Sequence, residues 1–194
     1  RELIRRLGTS PSQFYRLLDP ANSTKSMTQL LALLGLVGCE IDMEIHRNGQ
    51  WFYQGTPINR PALVRLFSTV LRRDEDGHHY LVTPVEKVRI RVEDAPFLAV
   101  SVERLEDGGQ DYLRFTTQTG DKVIAGGEHP LRVAYGAEGE PRPYLLVRDR
   151  LEALLSRTVY YQLVEWGRVE AAGEKGGDRL LVRSAGVDFE MGRL

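Results

Sequence analysis

Four stretches of the sequence carry residue types at a spacing that could do chemistry. Asp74-Glu75-Asp76 with His78 and His79 offers carboxylates and imidazoles, the groups that ligate cations. Their spacing departs from that of a calcium loop, and neighbouring histidines on a strand point to opposite faces. The stretch therefore reads as a solvated hairpin tip, and no metal ligand is assigned. Asn59 and Arg60 precede a proline suited to the first position of a helix, whose free N–H groups attract anions. Both are candidate ligand contacts, against the alternative that Asn59 caps the helix and Arg60 is solvated. Thr83, Glu86 and Lys87 form a second polar cluster, in which Thr83 and Lys87 are candidate contacts of the same kind. Gly173-Glu174-Lys175-Gly176-Gly177 has glycines and a lysine, but neither the ordered spacing of a phosphate loop nor a hydroxyl after the lysine. His46 and His129 have no partner at a diagnostic spacing, and Cys39 reads as a buried thiol. No nucleophile, base or metal set assembles from spacing alone, so no catalytic residue and no cofactor is expected.

Elements that would position these residues follow from periodicity. Trp51 to Gln54 has strand composition, and turn residues then lead to Pro61. Leu63, Leu66, Phe67, Val70 and Leu71 recur at helical spacing, with Arg65, Ser68 and Arg72 opposite. After the acidic loop, Val88, Ile90 and Val92 alternate with Lys87, Arg89 and Arg91, as a half-buried strand does. Glu40 to His46 also alternates, and Asn48-Gly49 favours a tight hairpin into Trp51. Downstream, Phe97 to Arg104, Tyr112 to Thr117, Lys122 to Ala125 and Leu131 to Tyr135 read as hairpin strands. Pro143 to Val147 reads as a strand, Asp149-Arg150-Leu151-Glu152 has capping-box spacing, and Leu151, Leu155, Val159, Leu163 and Trp166 continue as a helical stripe ended by Gly167. Strand candidates at Leu180 to Val182 and Val187 to Met191 close the chain. The order strand, helix, strand, strand thus occurs twice.

Length and composition suit one large or two small soluble domains. A net charge of −1 gives no general case for nucleic acid or a membrane surface. Through Gly38, however, five Lys or Arg face two acids, so any nucleic-acid contact is expected at the front. A single cysteine excludes an internal disulfide framework and a zinc–thiolate cluster, which fits a reducing cytoplasm. No stretch approaches the ~20 apolar residues that span a bilayer, so no membrane partner is expected.

Residues Arg5 to Pro20, with Gly8 at the turn, Phe14 and the following Leu33-Leu34-Gly35, resemble a Cro/repressor-type helix-turn-helix lacking its first helix. By that resemblance Ser10, Ser12, Gln13 and Arg16 would face duplex DNA. From Gly38 onward, Asn48-Gly49-Gln50-Trp51-Phe52-Tyr53-Gln54-Gly55-Thr56-Pro57, Leu81-Val82-Thr83-Pro84, Glu93-Asp94-Ala95-Pro96-Phe97 and His129-Pro130-Leu131-Arg132-Val133 carry a second likeness. By them the chain resembles an uncharacterised proteobacterial family, the one numbered twelve-eighty-five among the domains of unknown function. It implies an α+β fold of two related halves and a suggested role in signalling or ligand binding.

The expectation is an α+β protein with two related strand-helix-strand-strand halves, 39–104 and 105–194, joined by antiparallel strands behind a helical segment, 1–38. Its function is expected to be non-enzymatic and regulatory, in the cytoplasm: a module for an unidentified small-molecule or protein partner, with a front that contacts DNA. The alternatives are a ligand-binding signalling module without DNA, and an enzyme whose site spacing does not show.

Overall fold

The computed structural model describes residues 42–84, 86–171 and 177–193. They divide into two compact units: Trp51–Arg91 with the residues up to Glu44, and Ile45–Gln50 with the chain from Val92 on. Among the described residues are fifteen strands and two short helices. This corrects the α+β expectation: the protein is mostly β, and the expected helical front, 1–38, lies outside the described residues.

In the first unit β1 (Met43–Ile45), β2 (Trp51–Tyr53) and β3 (Thr56–Pro57) lead to helix α1 (Pro61–Thr69). Then come β4 (Leu71–Arg73), β5 (His79–Val82) and β6 (Lys87–Val92), and the sheet order is β3-β2-β1-β6-β5-β4. Helix α1 begins at Pro61 because a proline lacks only an N–H that has no helical partner at that position. Its buried face is narrower than the stripe of leucines suggests. Phe67 stacks on Trp51 with ring centroids 6.1 Å apart, while Leu66 stays exposed. Ser68, expected on the wet side, is buried and donates to the Arg65 carbonyl at 2.7 Å. The helix ends at Thr69, so Leu71 is buried as the first residue of β4, not as a turn of helix.

The second unit joins the hairpin strands expected between Phe97 and Tyr135 to two further strands in one sheet. Strands β7 (Phe97–Asp107), β8 (Gln110–Thr117), β9 (Lys122–Ile124), β10 (Leu131–Tyr135), β11 (Pro141–Arg148) and β12 (Leu151–Leu155) make one sheet, ordered β10-β11-β12-β7-β8-β9. Helix α2 (Arg157–Trp166) follows, then a three-stranded antiparallel sheet of β13 (Arg168–Glu170), β14 (Arg179–Ser184) and β15 (Val187–Arg193).

The helical stripe expected from Leu151 is overturned in its first half. Leu151, Ala153 and Leu155 are buried in alternation, and β12 runs parallel to β7 in the middle of the sheet. A spacing of four residues fits a strand of period two as well as a helix, so Leu151 and Leu155 cannot by themselves distinguish the two. The apparent capping box is a two-residue turn between Arg148 and Leu151, with Asp149 at φ 46°. Ser156 is the residue that caps α2, its hydroxyl accepting from the Val159 amide at 3.4 Å.

Candidate functional site

One cleft in the second unit gathers charge from three stretches distant in sequence, the β7–β8 hairpin, the start of β13 and the end of β14. Arg104 comes from β7, Asp111 from β8, Trp166 from the last turn of α2, Arg168 from β13 and Arg183 from β14. Leu113, Leu181 and Val182 complete the lining, all three nearly fully buried, and the cavity is about 220 Å³.

Local structure explains how these residues meet. Ser184, fully buried at the end of β14, accepts from the Leu113 amide at 2.8 Å and donates to the Ala125 carbonyl at 2.6 Å. The Ala185 amide donates to Asp111 O at 2.9 Å. These bonds hold the end of β14 against β8 and so place Arg183 beside Asp111. Gly167 is needed for space at the junction of α2 and β13. A Cβ there would stand 2.7 Å from Leu180 Cδ1 and 3.3 Å from the Leu163 carbonyl oxygen, so a side chain would force the Leu180 side chain to shift.

The arginines are held by two aspartates. Arg104 Nη2 donates to Asp111 at 2.7 Å. Arg168 grips Asp188 of β15 with both Nη atoms, at 3.0 and 2.9 Å, and Arg183 reaches the same carboxylate at 3.2 Å. The hydrogen bond from Arg104 holds the Asp111 carboxyl below its ordinary range, and that from Arg168 does the same for Asp188. In these direct pairs three guanidiniums face two carboxylates. One positive charge is left over, next to an indole and an apolar floor, which is the composition of a site for an anion.

A second polar assembly in this unit uses residues of the family-like stretches. Tyr144 donates to Asp94 at 2.7 Å, and Arg47 Nε lies 3.2 Å from the other oxygen of that carboxylate, as an ion pair without a hydrogen bond. Arg132 lies 4.3 Å over the Tyr144 ring and is bidentate to Glu152. Burial, then Asp94, push the phenol up to about 12, so Tyr144 remains a donor at any ordinary pH. Its charges are paired within the assembly, and it reads as a structural anchor.

Similarity to known proteins places the chain in a family. Residues 37–95 match the N-terminal domain, and 96–191 the C-terminal domain, of a protein of unknown function, DUF1285. A DUF1285 family protein from Silicibacter pomeroyi is 51% identical, with 80% of this chain and 81% of that chain covered and a TM-score of 0.71. The chain belongs to the DUF1285 family. A second member of known structure, from Shewanella baltica, is 30% identical over 64% of this chain and 91% of that chain, with a TM-score of 0.51. No curated protein matches the chain. These matches lend no support to the helix-turn-helix resemblance. Ser10, Ser12, Gln13 and Arg16 lie outside the described residues, as do Cys39 and the start of the glycine-rich loop at 173–176.

The residues that the sequence singles out in this DUF1285 chain fall in the first unit. Asn59 and Arg60 are exposed, and Arg60, not Asn59, occupies the N-cap of α1, without a side-chain cap. Thr83 closes the turn between β5 and β6, its amide donating to Glu86 O at 2.8 Å and its hydroxyl accepting from the Glu86 amide at 3.1 Å. Lys87 pairs with Asp74 and lies 4.2 Å over the Tyr80 ring. Among the described residues no hydrogen bond or ion pair joins Asn59 and Arg60 to Thr83 and Lys87.

The acidic stretch does lie at a hairpin tip, between β4 and β5, where Asp76 accepts from Tyr80 at 2.6 Å. His78 lies 3.0 Å from Arg89, while burial, then Arg73, lower His79 to about 4, so that it is neutral near pH 7. Of the cleft, sequence reasoning missed every member as a site residue. One signal was available: Arg183 and Asp188 sit directly opposite across the two-residue Ala185-Gly186 turn, an opposite-charge pair at hairpin spacing.

Proposed function

We propose that the chain is a non-enzymatic ligand-binding module of a regulatory kind, and that its ligand is a small organic anion held in the cleft between β7, α2, β13 and β14. One observation carries this reading: Arg104, Arg168 and Arg183 converge with Trp166 on a single cavity although they come from separate segments. Guanidinium forks recognise carboxylate and phosphate oxygens, and an indole face adds apolar contact for the remainder of the ligand. No hydrolytic or transfer step is assigned, because the groups lining the cleft are cations, their counter-ions and apolar side chains, with no nucleophile paired to a base.

Calorimetric titration of the full chain at low salt tests the reading, with a panel of small carboxylates, sulfonates and phosphate esters. At least one class binds saturably, and Arg168→Ala weakens that binding roughly tenfold or more, as loss of a charged hydrogen-bond donor does. Absence of saturable binding across the panel, or binding that Arg168→Ala leaves unchanged, contradicts it.

A further inference from the structure

Resting on the reading of the cleft as an anion site, we infer that its ligand is an aromatic phosphomonoester, and that Asp188 is the internal competitor it must displace. Asp188 already presents a carboxylate to Arg168 and Arg183 at 2.9 to 3.2 Å, and Asp111 presents another to Arg104 at 2.7 Å. A free monocarboxylate offers those arginines nothing that a tethered aspartate does not, and the tether gives the aspartate the higher effective concentration. A monocarboxylate is therefore a weak competitor.

A phosphomonoester differs in charge and in shape. It carries about −1.5 to −2 charge near pH 7 and three acceptor oxygens on one centre. Neither aspartate serves all three guanidiniums: Asp111 pairs with Arg104, and Asp188 with Arg168 and Arg183. A single phosphoryl group has enough oxygens for the whole set. Donors remain for it, because a guanidinium has five N–H groups. Among the described residues Arg104 uses Nη2 alone on Asp111, and Arg183 uses Nη1 alone on Asp188. The aromatic part follows from Trp166, which lines the same cavity over a floor of Leu113, Leu181 and Val182. A ring on the ester oxygen has an indole and aliphatic carbon to pack against.

The test follows the Trp166 indole N–H signal by NMR, assigned with Trp166→Phe, with the indole of Trp51 in the other unit as reference. Phenyl phosphate, inorganic phosphate and benzoate are titrated into the full chain and into Arg104→Gln, Arg183→Gln and Asp188→Asn. Circular dichroism and thermal unfolding show that each variant is folded. Phenyl phosphate shifts Trp166 saturably and leaves Trp51 in place, inorganic phosphate binds more weakly, and benzoate is weaker by roughly tenfold or more. Arg104→Gln and Arg183→Gln each weaken phenyl phosphate, whereas Asp188→Asn tightens it and brings benzoate up towards it, because the internal carboxylate no longer competes. Benzoate binding as tightly as phenyl phosphate in the unaltered chain, or Asp188→Asn weakening both ligands, overturns the ligand class while leaving the cleft an anion site. Failure of all three ligands to move the Trp166 signal overturns the site itself.

Discussion

Two regions of the molecule collect cations, and they draw them from different spans of the sequence. On the β4–β6 hairpins of the first unit, Lys87, Arg89, Asp74, Asp76, His78 and Tyr80 lie within 16 residues of one another and pair locally: Lys87 with Asp74, Asp76 with Tyr80, Arg89 with His78. Each charge there meets a neighbour brought by the hairpin itself. In the cleft of the second unit the arginines come from positions 104, 168 and 183, and they surround a cavity bearing an indole. In both regions hairpin partners take part of the charge, Arg104 with Asp111 and Arg183 with Asp188 in the second unit, but there the arginines of separate hairpins also face a common space. Chemistry-bearing residue types are plentiful in both regions, and in the second they line a cavity.

The largest effect expected concerns what holds each region together. Ser184→Ala leaves the buried Leu113 amide and Ala125 carbonyl without partners, and is expected to cost about 1–3 kcal/mol in denaturant unfolding. It also loosens β14 on β8, leaving the Ala185 amide bond to the Asp111 carbonyl to hold that end, so anion binding falls with it. Thr83→Ala, which removes the side-chain bond of the β5–β6 turn, is expected to cost under about 1 kcal/mol and to leave binding unchanged. Equal costs for the two would erase the distinction between a turn that pairs locally and one that fastens two sheets.

Binding sharpens the contrast next. Arg183→Gln lowers the affinity of the anion found by calorimetry roughly tenfold, while Lys87→Gln and Arg60→Gln change it by less than about twofold. A larger loss from Lys87→Gln than from Arg183→Gln would return the site to the hairpin.

A smaller effect separates the regions by pH. His79 in β5 is lowered from 6.5 to about 4 in the folded chain, by burial and then by Arg73. The unfolded chain therefore takes up this proton first, and stability falls as pH drops from about 6.5 towards about 4. His79→Gln removes that slope. Asp111 and Asp188 have folded values below their ordinary range, so their contribution is present above about pH 4 and disappears only as pH falls further, through the depressed values. A titration of unfolding midpoints between pH 7 and 3 in native chain, His79→Gln and Asp188→Asn distinguishes the two windows.

The same contrast explains how far the sequence could be read. Pro61 at the first position of α1, the alternation of Val88, Ile90 and Val92, and the hairpin strands from Phe97 to Tyr135 were legible, because each depends on residues a few positions apart. Leu151 to Leu155 was not: its leucines fit two periods, and only the place of β12 between β11 and β7 selects the strand. Ser68 and Leu66 exchange their expected exposures because Trp51, not the leucine stripe, defines the buried face of α1. The cleft was illegible for a related reason. Its lining spans 80 positions from Arg104 to Arg183, and nothing local to Arg104 or Trp166 says that they share a cavity.

Arginine footprinting tests the central claim most directly. The full chain is treated with a dicarbonyl reagent that modifies guanidinium groups, with and without saturating phenyl phosphate, and modification at each arginine is followed by mass spectrometry. Slowed modification at Arg104, Arg168 and Arg183, with Arg60, Arg72 and Arg89 unchanged, is the result predicted. Protection confined to the first unit, or spread evenly over all arginines, would contradict an anion site in the cleft.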